Sequence, residues 1–241
     1  MSPRSHRSTT IPANANLLIR RLAAEDQGRL VAACEPVAWR LAEVLCEPGA
    51  PLRHAYFPLS GFLSLVTQAA SGPSLEVGMV GREGVLGAEL ALGVQHAPFH
   101  VLVQGAGSAL RIASDALLAE MARSASLREA LKRYTGVTLS QLATSAACLR
   151  QHPARARLAR WVLMSQDRAQ ADQFAMTSVF LAYMLGEPRP AIASALAELQ
   201  QRHLITREGD TMAVTDRAGL ESAACSCYQA ERSHYQHHLG L

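Results

Sequence analysis

Apolar residues recur in two textures along the chain, and the change of texture divides it. Over residues 16–46, Leu17, Leu18, Leu22, Leu30, Val31 and Leu41 stand among polar residues, which predicts helix up to a break at Glu47-Pro48-Gly49-Ala50-Pro51. Over 52–112 the apolar positions gather into short runs (55–58, 61–67, 75–80, 101–104 and 109–112) separated by Gly and Pro. Such spacing predicts an antiparallel β-roll or jelly roll. Helical texture returns at Ser114, with Asp115 near the N-cap and Leu117, Leu118 and Met121 behind it. After Ser124-Ala125-Ser126, a long helix is expected over 127–151, ended by His152-Pro153.

Leu127, Leu131, Tyr134, Thr138, Gln141, Ser145 and Cys148 recur along that helix at helical spacing, and the small residues Gly136, Ser140, Thr144 and Ser145 would let another backbone approach. This stripe predicts pairing with a second copy, a homodimer coil. Its second half is polar, and Leu139, Leu142, Ala146 and Leu149 form a competing, more apolar stripe. A helix packed only on its own β-roll is the other reading.

The most informative stretch is 176–216. Thr177 or Ser178 can cap a helix carrying Phe180, Leu181, Met184 and Leu185 on one face. Gly186 permits a sharp turn, and Pro188 and Pro190 fit the start of a second helix. In that helix Ile192, Leu196 and Leu199 face inward, which turns Pro190, Ser194, Ala197 and Gln201 outward with Arg189 at the leading edge. Runs at 204–207 and 211–215, joined by Glu208-Gly209-Asp210, read as a hairpin wing. The unit is a winged helix-turn-helix.

At these residues the chain resembles the Crp/Fnr family of bacterial transcription regulators. The run Phe180-Leu181-Ala182-Tyr183-Met184-Leu185-Gly186, with Arg189 and Ile192, is similar to the family's DNA-binding domain, and His152 to Trp161 to its start. Residues 78–87 resemble the middle of the family's effector-domain β-roll, and 215–228 the ending of one branch. The likeness spans roughly residues 17–228 in the family's order. It implies an α+β chain: an N-terminal antiparallel β-roll sensor domain at 17–123, a dimerisation helix at 124–152 and a winged helix-turn-helix at 153–241. It also implies a homodimer on double-stranded DNA, acting through RNA polymerase in the bacterial cytoplasm. Residue by residue, Arg189 falls at the family's first base-reading arginine, whose fork suits guanine O6 and N7. Pro190 stands where a glutamate is usual, and Ser194 where one subgroup has an arginine, so the best-known half-site should not be read. Thr177, Ser178 and Arg207 are candidates for phosphate contacts.

Composition tempers this picture. The formal net charge is only +3, and all but one of the 23 basic residues are Arg, Lys132 being the exception. From Pro153 onward nine Arg face nine Asp or Glu, so DNA affinity must come from placement and not from excess charge. No apolar run approaches bilayer length, and the start of the chain lacks a secretory apolar core. Residues 1–16 read as a disordered leader, and five cysteines fit a reducing compartment.

The family's cyclic-nucleotide binders set a Gly-Glu pair and a later phosphate-neutralising Arg. Here Gly87 and Glu89 are the nearest equivalents, and no Arg occurs between Glu83 and Leu110; His96 and His100 offer only partial charge. The effector is therefore expected to be something other than cyclic AMP. Cys34 and Cys46 alone do not make an N-terminal iron–sulfur ligand set. Cys225-Ser226-Cys227, with His234, His237 and His238 beyond, offers soft ligands at a spacing poor for zinc, and the cysteines are expected to pack against the domain. No metal or cofactor is expected. Rival readings are a noncatalytic interaction module whose DNA reading has decayed and, more weakly, a cupin-like enzyme, for which His54, His96 and His100 are scattered.

Overall fold

The computed structural model describes residues 16–68 and 74–241. The chain enters at Asn16, whose side chain is buried. Its Nδ2 donates to the carbonyls of Pro58 (3.0 Å) and Gly84 (2.9 Å), and its Oδ1 accepts from the N–H groups of Leu18 and Ile19. Asn16 is thus an anchor, which corrects the expected end of the leader; the rest of that expected segment lies outside the described residues.

Only part of 16–46 is helical: a 3-10 turn at Ile19–Arg21 and helix α1, Ala24–Ala32. Glu35-Pro36 then stops helix propagation, because proline lacks an N–H and crowds the preceding turn. The chain turns instead into strands β1 (Glu35–Trp39) and β2 (Val44–Cys46). The expected short runs fuse into two long strands, β3 (His54–Gln68) and β5 (His100–Ala113), with β4 (Ser74–Val80) beside β3. The antiparallel sheet runs β1-β5-β3-β4, and β2 also pairs with β5. Pro36 is tolerated because β1 lies at the sheet edge. Register shifts between Pro58 and Leu63 bend the β3–β5 ladder, and there a Cβ on Gly107 would lie 2.2 Å from the Ser60 carbonyl oxygen. Glycine is required for that close approach.

Helices α2 (Ser114–Arg123) and α3 (Ala125–Gln151) follow, the latter capped by Ser124 Oγ accepting from the Leu127 N–H at 3.0 Å. The C-terminal domain comprises α4 (Ala154–Ala169), β6 (Gln173–Ala175), α5 (Ser178–Leu185), α6 (Arg189–Gln201), β7 (Ile205–Glu208), β8 (Thr211–Val214), α7 (Arg217–Ala223) and α8 (Cys227–Leu239). No helix among the described residues is long and apolar enough to cross a membrane.

The stripe assigned to a partner helix is spent inside the chain. Leu127, Leu131 and Tyr134 are buried in the roll's core. Gln141 accepts from the Met79 N–H (3.2 Å) and donates to Glu231 of α8 (2.5 Å). Thr138 and Ser145 are half-buried. A homodimer contact through Leu127, Leu131, Tyr134 and Gln141 would require them to leave their own domain. The competing stripe is the outward one: Leu139 is 61% and Leu149 41% exposed, with Ala146 exposed between them.

The two domains share packing. Phe62 and Met79 of the roll belong to the same buried cluster as Trp161, Leu181, Ile192 and Leu196. Trp161 Nε1 donates to Glu76 Oε1 at 2.8 Å, and Ser64 also bonds that carboxyl. Arg168 Nε meets Glu83 Oε1 at 2.7 Å.

Candidate nucleic-acid interface

The helix-turn-helix forms for local reasons. Thr177 Oγ1 accepts from the Phe180 N–H at 3.0 Å, satisfying one of the free donors at the start of α5. Gly186 ends the helix at φ 61°, in the left-handed region where glycine carries no Cβ penalty. Pro188 is the N-cap of α6 and Pro190 lies in its first turn, where a missing N–H costs no helical bond. Ile192, Ala195, Leu196 and Leu199 are buried against the domain. Arg189, Pro190, Ser194, Ala197 and Gln201 are exposed, which is the outward face expected. The wing is the β7–β8 hairpin, and β6 adds a third strand beside β8 that the sequence reading missed. Only three residues long, β6 is too short to show a period of its own.

The Arg189 side chain, exposed at the first residue of α6, has no hydrogen bond or ion pair among the described residues. The acid nearest to it in sequence, Glu187, is held by Arg157, whose Nη1 also donates to the Leu185 carbonyl at 3.0 Å. With Glu187 so held, no Arg189–Glu187 bridge forms. Three other arginines of the domain are likewise committed. Arg160 pairs with Glu231 at 2.8 Å, Arg168 with Glu83 at 2.7 Å and Arg217 with Asp167 at 2.7 Å. Two of these pairs lie within the domain and Arg168–Glu83 crosses to the roll, while the tip of α6 keeps a free guanidinium. Thr177 and Ser178 are half-buried beside the start of α5. Arg207 is half-buried and donates to the Gly209 carbonyl at 3.4 Å, so it folds over the wing's own turn.

The expected effector residues do not converge. Gly87 precedes the 3-10 turn Ala88–Leu92 with φ 93°. Glu89, in that turn, is half-buried, and burial pushes its carboxyl above the ordinary range. His96 is exposed, and His100 Nδ1 contacts Glu47 Oε2 at 2.8 Å on the surface. A cleft of about 960 Å³ opens elsewhere, between the Arg82–Glu83 loop, α4 and α8, where His234, His237 and His238 line it. Cys225 and Cys227 are buried together with Cys148, apart from that histidine face. The packing expected of the cysteine pair is what the structure has.

Two domain families match the chain. Residues 36–124 match the cyclic nucleotide-binding domain and residues 156–223 the Crp-like helix-turn-helix domain. No curated protein matches it in sequence. Among solved structures it is similar to FixK2 from Bradyrhizobium japonicum, at 16% identity over 80% of this chain and 98% of that one, with a TM-score of 0.67. The regulator CLP of Xanthomonas campestris, described as c-di-GMP responsive, is 17% identical over 80% and 99% of the two chains, with a TM-score of 0.63. A Crp/Fnr-family transcriptional regulator from Eubacterium rectale is 14% identical over 87% and 98%, with a TM-score of 0.63. At these identities the likeness is one of fold.

Proposed function

The chain belongs to the Crp/Fnr family, whose members are transcription regulators and not enzymes, and from that premise we propose that it reads duplex DNA through the exposed face of α6. The observation that carries this reading is the free Arg189 guanidinium at the first residue of α6, left without an acidic partner because Arg157 holds Glu187. Its fork would bond guanine O6 and N7 in the major groove. Pro190 presents no side-chain donor or acceptor, and Ser194 gives one weak hydroxyl contact, so the half-site is short in base-specific contacts. Thr177 keeps a hydroxyl proton to donate to a phosphate while its oxygen caps α5. Ser178 is placed to do likewise, and Arg207 would reach a phosphate from the wing.

The protein works as a homodimer in this reading, since one short half-site gives little specificity and a two-fold dimer doubles it. The partner's α3 would meet the stripe of exposed Leu139, Ala146 and Leu149 with half-buried Leu142. The setting is the bacterial cytoplasm, and RNA polymerase is the partner through which DNA occupancy changes transcription. An effector would act by favouring one of two placements of the helix-turn-helix, transmitted through the Glu76–Trp161 and Glu83–Arg168 contacts. With Glu89 turned inward and no arginine facing it, that effector is not a cyclic nucleotide held in the family's usual manner.

The test is selection from a randomised duplex pool by the wild-type protein and by Arg189→Ala. An enriched palindrome with guanine in each half, absent for the variant, supports the reading. Enrichment that survives in Arg189→Ala, or no DNA binding with or without cell extract, favours the interaction-module alternative.

A further inference from the structure

Four side chains with metal-binding chemistry meet where α3 ends and α8 begins. Cys148 lies in the last turn of α3, and His152 is the residue that caps it. Cys225 sits in the bend between α7 and α8, and Cys227 is the first residue of α8. Their ligand atoms all lie within 4.8 Å of one another. Cys148 Sγ is 3.4 Å from Cys225 Sγ, and Cys227 Sγ is 3.6 Å from His152 Nδ1. A tetrahedral ion with metal–sulfur bonds of about 2.3 Å and metal–nitrogen bonds of about 2.0 Å spaces its ligand atoms about 3.5–3.8 Å apart. Two of the six ligand pairs already have nearly that spacing, and the rest lie within 4.8 Å.

The surroundings suit such a centre. All three thiols are buried, and His152 is half-buried at the rim. Ala156 packs on the cysteines, and one turn further along α4 Arg160 lines the same small cavity as Cys148. The buried Nε of Arg160 has no hydrogen-bond partner among the described residues. Three thiolates and a neutral imidazole around a divalent ion carry one net negative charge, which the Arg160 guanidinium, shared with Glu231, offsets in part.

We propose that Cys148, His152, Cys225 and Cys227 bind one Zn²⁺ ion as a closed structural site. Binding replaces three S–H bonds by three metal–sulfur bonds and releases three protons to solvent, with no change of oxidation state. With four protein ligands the ion has no open position for catalysis. It fastens the end of α3, whose first half lies in the roll's core, to the start of α8, and so fixes the helix-turn-helix domain on the sensor domain. The site is independent of how α6 reads DNA.

The experiment is metal analysis of the full chain, purified under reducing conditions without chelator. One zinc per chain is expected, kept when His234, His237 and His238 are all replaced by Ala and lost in Cys225→Ser. Because a ligand variant can fail to fold, wild-type protein stripped with chelator is also titrated with Co²⁺. Saturation at one equivalent is expected, with thiolate-to-cobalt charge-transfer absorption and the intense visible bands of tetrahedral cobalt, bleached by Zn²⁺. Zinc lost with the tail histidines, iron accompanied by acid-labile sulfide, or a weak octahedral cobalt spectrum would each overturn the proposal.

Discussion

The β-roll and the helix-turn-helix belong to one architecture, yet they present their polar groups in opposite ways. On α6 the polar positions point out and Arg189 is unpaired. In the roll, Glu89 is turned inward with its carboxyl pushed up by burial, and His100 is engaged by Glu47. Gly84, in the stretch expected to form the effector site, is packed directly under the Tyr134 ring of α3. A family resemblance need not carry every binding function with it. Whether it does is decided by what each side chain touches.

The contrast can be broken at the joint between roll and long helix. A Cβ on Gly84 would lie 2.1–2.3 Å from buried Tyr134 atoms. Gly84→Ala should then cost about 3 kcal/mol, the upper range for overpacking a filled core. Chemical denaturation checks this, and unchanged stability would mean that the joint has slack.

An effect of similar size is expected at the domain contact. Burial pushes the Glu76 carboxyl up to about 7 from an ordinary value of 4.5, against the lowering influence of its bonds from Ser64 and Trp161. Between those values the folded state holds a proton that the unfolded state has released, so stability falls as pH rises through the window and the loss is complete above about 7. The span is about 3 kcal/mol. Glu76→Gln keeps an acceptor for Trp161, reverses the Ser64 bond so that the amide donates to the hydroxyl, and removes the titrating group. Its denaturation midpoint should lose that part of the pH dependence, and an unaltered profile would contradict the assignment. The smallest effect expected is that of cyclic AMP. A ligand at a hundred times its Kd raises stability by about 2.7 kcal/mol, whereas here no shift of the thermal midpoint is expected. A shift of several degrees would reopen the nucleotide pocket.

The interface was more legible in sequence than the roll, for a physical reason. The caps, turn and buried face of α5–Gly186–α6 are set by residues within a few positions of one another, so periodicity and local hydrogen bonding reveal them. Strand pairing is long-range. The stretch Glu35–Trp39 is extended because β5 accepts it as an edge, which nothing in its own pattern announces. Likewise Asn16 reads as leader until the Pro58 and Gly84 carbonyls are placed beside it. The stripe on α3 was correctly periodic, but periodicity cannot say which surface it meets, and its first half met the roll. The same limit hid the partners of Cys225 and Cys227, since Cys148 and His152 join them only through the packing of α8 on α3.

The most direct test of the account is the affinity of wild-type protein and Arg189→Ala for one selected duplex and for a scrambled duplex, measured side by side at fixed salt. The account predicts a loss of roughly 10- to 100-fold on the selected duplex, the 1–3 kcal/mol of a bidentate guanine contact, with binding to the scrambled duplex nearly unchanged. An equal loss on both would make Arg189 a phosphate contact, and no loss on either would contradict the reading of α6 as the recognition helix.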